Sequence, residues 1–134
     1  MSDVHVRVRA GGEHYALPVE GVREITRRDP ITPVPGAPAA VLGVWNLRGD
    51  VVAAIDLAAM LGLAPGDGEG RIVVVEEGRL HAGLAVEEVL EVEALPTTLE
   101  PTGSPFLAGA TLVDGVQVGV VDLSALLAAA REGG

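Results

Sequence analysis

The chain repeats itself. A shift of 67 residues places Val6 on Val73, Val8 on Val75, Gly11 on Gly78, His14 on His81, Leu17 on Leu84, Val19 on Val86, Val22 on Val89, Glu24 on Glu91 and Ile25 on Val92. After a single deletion the shift becomes 66, and Gly43 falls on Gly109, Leu47 on Val113, Gly49 on Gly115, Val52 on Val118, Ile55 on Val121, Asp56 on Asp122, Leu57 on Leu123 and Leu61 on Leu127. Ordered matches of this kind constrain the fold more than any single motif, because both copies must build the same local structure. Two copies do not make a solenoid. They predict two similar units, at about residues 4–62 and 71–128, inside one domain over 1–134 and joined by a Gly-rich loop at 64–70.

Within each unit the pattern is that of short strands. Val4-His5-Val6-Arg7-Val8-Arg9 alternates apolar and polar residues, and Gly11-Gly12 then turns the chain into Tyr15-Ala16-Leu17, which predicts a hairpin. Val19 to Arg27 reads as a helical turn running into a strand. Pro30, Pro33, Pro35 and Pro38 withhold backbone donors and make 29–38 a loop. Val41–Leu47 and Val51–Ile55 flank Arg48-Gly49-Asp50 as a second hairpin. Asp56 stands at an N-cap before a short helix stopped by Gly62, and Asp122 opens a last helix in the same way. Five strands per unit with Gly and Pro turns predict an all-β chain with short helices, built as two small barrels, since closure removes the edges of so small a sheet. Neither unit has a comfortable core alone, so the two should pack together and leave a groove between them.

Charge narrows the partners. The formal charge is −10, with 49% hydrophobic residues and one each of Trp, Tyr and Phe. Such a chain is apolar enough to fold, and it lacks the cationic footprint and stacking platforms of a nucleic-acid binder. The first 50 residues carry six arginines and six acids, so the imbalance lies entirely in the later part, and every cationic side chain is Arg. No cysteine is present, and His5, His14 and His81 lack metal-ligand spacing. No cofactor or metal is therefore expected. No apolar run approaches a membrane span, and Met1-Ser2-Asp3 leads directly into the first strand, so a cytoplasmic protein without membrane insertion is expected.

No set of residues assembles an active site. Asp56 and Asp122 are better explained as helix caps than as a carboxylate pair, and His14 and His81 lie in strands without a nucleophile or acid beside them. Glu87, Glu88, Glu91 and Glu93 read as a solvated acidic face, and Arg48-Gly49-Asp50 as a turn. What stands out is an irregular set in the first unit. Trp45, Asn46 and Arg48, with Glu24 upstream, face Thr111, Leu112 and Asp114 in the second copy. The repeat keeps its apolar and turn positions while these diverge, as expected if they serve a partner. Read alone, Asn46 and Arg48 also suit ordinary polar positions on a half-exposed strand. Trp45 is the large aromatic platform the composition offers a partner.

At these residues the sequence resembles the CheW-like domain family of bacterial chemotaxis coupling proteins. The resemblance runs through Tyr15-Ala16-Leu17-Pro18-Val19, Val22-Arg23-Glu24-Ile25, Pro35 to Pro38, Gly43-Val44-Trp45-Asn46-Leu47-Arg48-Gly49 and Ile55-Asp56-Leu57. It continues through Ala82 to Val86, Leu107-Ala108-Gly109, Val121-Asp122-Leu123 and Leu126-Leu127. Three positions depart from the family pattern: Ala53 where Pro is usual, Glu87 where Asp is usual, and Trp45 where a smaller residue is usual.

The resemblance implies two SH3-like five-stranded barrels around a shared core. It also implies a non-catalytic adaptor joining the regulatory domain of the histidine kinase CheA to the cytoplasmic tip of a chemoreceptor. Positions matching Val22, Glu24, Gly43, Arg48, Gly49, Gly83 and Gly109 are those the family associates with receptor coupling; Trp45 and Asn46 join them here. Arg48 is expected to pair with a receptor carboxylate or amide, Glu24 with a receptor cation or with Arg48 itself, and Val22 to pack on an apolar helix face. The departures leave room for a CheW-like competitor that binds only the kinase. A reading of a different class is an enzyme or small-ligand barrel using the groove, which requires a deep pocket with converging polar groups.

Overall fold

The structure, a computed structural model, describes residues 3–28, 30–64 and 70–131. Residues 65–69 of the predicted Gly-rich loop lie outside the described residues. Ten strands and two short helices follow in the order β1 (Val4–Ala10), β2 (Glu13–Pro18), β3 (Val22–Arg27), β4 (Val41–Leu47), β5 (Asp50–Asp56), α1 (Leu57–Met60), β6 (Arg71–Glu77), β7 (Leu80–Val86), β8 (Glu88–Ala94), β9 (Leu107–Val113), β10 (Val116–Val121) and α2 (Leu123–Arg131). A 3₁₀ turn at Val19–Gly21 links β2 to β3, where the sequence pattern places a helical turn. The predicted caps are present: the Asp122 carboxylate accepts from the Ala125 N–H at 3.1 Å, and that of Asp56 from the Ala59 N–H at 3.4 Å.

Each sheet has five strands, ordered β8-β1-β2-β10-β9 and β3-β6-β7-β5-β4. The two repeat units therefore do not each close on their own strands, as the repeat alone suggests. The first sheet combines the β1–β2 hairpin with three strands of the second unit, and the second combines the β6–β7 hairpin with three strands of the first. Chain geometry forces this exchange. β8 lies antiparallel to β1, and β1 antiparallel to β2, so β8 runs parallel to β2. For β3 to take that place in its own unit, the chain would have to return the full length of β2, about 20 Å for six residues, within the three residues Val19–Gly21. A link that short reaches little over 10 Å. β3 instead runs straight on into the other sheet, where it pairs antiparallel with β6. The parallel pairings β2 with β10 and β5 with β7 complete the exchange.

The exchange makes three apolar clusters. One is shared: Val6, Val8 and Leu17 from the first sheet meet Ile55, Val73, Val75 and Leu84 from the second, sealed by Leu123, Leu126 and Leu127 of α2. The first barrel encloses Ala16, Leu95, Val118 and Val120, and the second encloses Trp45, Val52, Ile72 and Val74. Between the barrels the side chains contact as they would inside one domain, which explains how two such small sheets are stable together.

Candidate functional site

The tip of the β4–β5 hairpin is a two-residue turn, with Leu47 opposite Asp50 and both central residues at positive φ: 51° at Arg48 and 92° at Gly49. This is the geometry that the twist of a tight hairpin favours. Its repeat-mate is built alike, with Asp114 at 50° and Gly115 at 81°. Asp tolerates this backbone region readily, whereas Arg holds it at a cost of roughly 1 kcal/mol. The Asn46 side-chain oxygen accepts from the Gly49 N–H at 2.9 Å and fixes the turn.

Held this way, Arg48 reaches across to β3. Its two terminal nitrogens donate to the two carboxylate oxygens of Glu24 at 2.7 and 3.1 Å. β3 and β4 are opposite edges of the second sheet, so the pair bridges the seam where the barrel closes. Arg48 remains 77% exposed and Glu24 25%, leaving most of the guanidinium open to a partner. Ile25, next along β3, is also exposed, and its repeat-mate Val92 is exposed on β8. Val22 is half-buried and packs on the shared core.

The remaining predicted site residues have internal work. Trp45 is 4% exposed and packs in the second barrel, which corrects its reading as an aromatic platform for a partner. Strand alternation around a curled sheet turns it inward, and Gly83 makes room for it. A Cβ on Gly83 would lie 2.8 Å from the Trp45 ring and 2.7 Å from Ile72. Gly43 lies where the Pro-rich connector crosses β4, with Thr32 and Val44 exchanging two hydrogen bonds of 2.9 Å, and a Cβ there would land on the Thr32 carbonyl oxygen. Gly109 is its counterpart, crossed by Leu99 and Glu100. These three glycines admit the protein's own backbone and side chains. The structure thus gathers Glu24, Asn46, Arg48 and Gly49 at one tip with Val22 on the adjoining strand, places Trp45, Gly43 and Gly83 inside the same barrel, and puts Gly109 in the other.

Arg7 was not foreseen. It is 6% exposed, and donates to Glu93 at 2.7 Å and to Glu91 at 3.2 Å, with a His14 ring nitrogen 3.5 Å away. The alternation of β1 suggests a polar face in water, but the first barrel curls around that face. The repeat carried the signal, since Arg7 falls on Val74 of the second barrel's interior.

The comparisons with known proteins agree with this architecture. A family model described as CheW-like domain matches residues 5–131. The chain belongs to the CheW-like domain family. It is 34% identical over 131 residues to a probable chemotaxis protein CheW of Rhizobium etli, covering 90% of this chain and 84% of that protein. A chemotaxis protein CheW of Rhizobium meliloti is 30% identical with the same coverage. The crystal structure of the scaffolding protein TtCheW from Thermoanaerobacter tengcongensis superposes with a TM-score of 0.82 at 27% identity, covering 92% of this chain and 86% of that one. The CheW-like fold, two SH3-like barrels of mostly β structure, is the fold of this chain. Among the described residues, no helix is long and apolar enough to cross a membrane.

Proposed function

We propose that this chain is a non-catalytic chemosensory adaptor that couples the cytoplasmic tip of a chemoreceptor to the regulatory domain of the histidine kinase CheA. The observation that carries this reading is the family match over residues 5–131. The hairpin tip supplies a contact of suitable chemistry. Arg48 is held by a turn it does not itself favour, its charge is half-answered by Glu24, and Ile25 and Val22 lie along the same strand. A receptor helix offering a carboxylate or amide beside an apolar face can engage Arg48 without stripping Glu24 bare. The backbone strain at Arg48 supports a binding role, since the fold alone is equally served by Asp114 at the matching turn.

Two of the three departures from the family pattern, Trp45 and Glu87, do not favour a kinase-only competitor. Trp45 is buried, and Glu87, in the link between β7 and β8, accepts from the Gly12 N–H of the β1–β2 turn at 2.8 Å. Neither alters the Glu24–Arg48 surface. Titration of the purified protein against the CheA regulatory domain and a receptor tip fragment from the same organism is expected to show binding to both. Binding to neither would sink the proposal, and binding to the kinase alone would turn it into the competitor reading.

A further inference from the structure

A hollow of about 280 Å³ lies at the base of the β4–β5 hairpin, lined by Val41, Ala53, Ile55, Leu80, Ala82 and Leu127, with Arg79, His81 and Arg131 around it. Val41 pairs with Ile55 at one end of the hairpin and Arg48 stands at the other, about 20 Å away along the strand. The hollow is therefore separate from the candidate receptor contact.

The repeat shows what shape it takes. Tyr15 is the mate of Ala82, Gly119 of Ala53 and Leu107 of Val41. In the first barrel Tyr15 lies beside Gly119 in the β2–β10 pairing, and a Cβ on Gly119 would be 3.0 Å from both the Tyr15 ring and Leu107. An aromatic ring thus fills that half's version of the site. In the second barrel, Ala82 leaves the same place empty of any ring.

Charge shows what would bring a ring there. Beyond residue 50 the chain has three arginines against thirteen acids, and two of the three, Arg79 and Arg131, flank this hollow. Arg7, Arg9, Arg23 and Arg48 are all ion-paired, whereas among the described residues Arg79 and Arg131, like Arg27 and Arg71 elsewhere on the surface, are not. Unspent guanidinium groups beside an apolar hollow, on a chain of net charge −10, complement an aromatic side chain flanked by carboxylates.

We propose that this hollow is a second docking site, which seats an aromatic side chain of a partner protein segment while Arg79 and Arg131 pair with acidic residues on either side of it. The proposal goes beyond the adaptor reading and does not depend on it. The test uses the full chain, labelled with ¹⁵N, and a synthetic amphipathic peptide carrying one Tyr with Glu residues three and four positions away. Saturable binding with a Kd of about 10–100 μM is expected, with shifts centred on Ala53, Ala82 and Leu127. The Arg79→Glu/Arg131→Glu protein, altered only at exposed positions, should bind at least about tenfold more weakly. The Ala53→Gly/Ala82→Tyr protein, which copies the filled half, should not bind. A wild-type protein that ignores the peptide, or a charge-reversed protein that binds it as well as wild type, overturns the proposal. So does tighter binding of 4-hydroxyphenylacetate than of the peptide, which would make the hollow a small-molecule pocket.

Discussion

Arg48 and Glu24 tie the two edges of one barrel together, yet they come from a turn and a strand 24 residues apart whose neighbours in the sheet are different strands. The pair is two-pronged and partly exposed, so its contribution to stability is about 0.2–1 kcal/mol. Against this stands the cost of Arg in the left-handed region.

Replacing Arg48 by Asn, which accepts that backbone geometry, should leave stability within about 1 kcal/mol of wild type while weakening receptor binding. Urea denaturation and a receptor-tip titration check the two halves of this expectation. A double-mutant cycle with Glu24→Gln should give a coupling energy below about 1 kcal/mol. A coupling of several kcal/mol would mean that the pair is a structural clamp.

Gly83→Ala should destabilise the fold by about 1–3 kcal/mol, because the new methyl meets Ile72 and the Trp45 ring inside normal contact distance. Trp45→Leu, which leaves a cavity in the wild type, should cost less in the Gly83→Ala background, where the methyl takes up part of the space. Thermal unfolding of the two single variants, the double variant and wild type measures this. Equal melting temperatures for wild type and Gly83→Ala would show that the ring moves freely.

Loss of Arg7 leaves Glu93, with its side chain only 19% exposed, beside Glu91 and without its cation. Arg7→Ala is expected to cost about 2 kcal/mol, below the range for fully buried pairs because Glu91 is well exposed. Arg7→Met with Glu93→Leu, apolar replacements for the barrel interior, should be less destabilising than Arg7→Ala. Denaturant midpoints decide between them.

Burial, with a smaller push from Glu13, raises the Tyr15 phenol above its ordinary value of 10.0. A raised pKa means that the unfolded chain loses this proton first. The contribution of Tyr15 is therefore fully present below about pH 10 and is lost as the pH climbs through the folded value. Tyr15→Phe should remove that part of the alkaline decline and leave stability at neutral pH little changed. Denaturation midpoints between pH 8 and 11 compare the two, and parallel curves would show that Tyr15 is not the group responsible.

Local structure was legible in the residues themselves. Alternation and turn chemistry marked the strands, Asp56 and Asp122 marked the helix starts, and the repeat announced two like sheets. Arg48 and Asn46 could be singled out because they broke the repeat where its apolar positions held, whereas Glu24, matched by Glu91, drew notice only through the family resemblance. What these signals lack is direction across the third dimension. Equivalent strands of two copies are interchangeable as partners, so only the short links at Val19–Gly21 and between β7 and β8, set against the length of a strand, decide that the hairpins are exchanged. Curvature, likewise, does not appear in a period of two. It turned Trp45 and Arg7 from the outside of a ribbon to the inside of a barrel, and it brought the edges of one sheet close enough for Arg48 to grip Glu24.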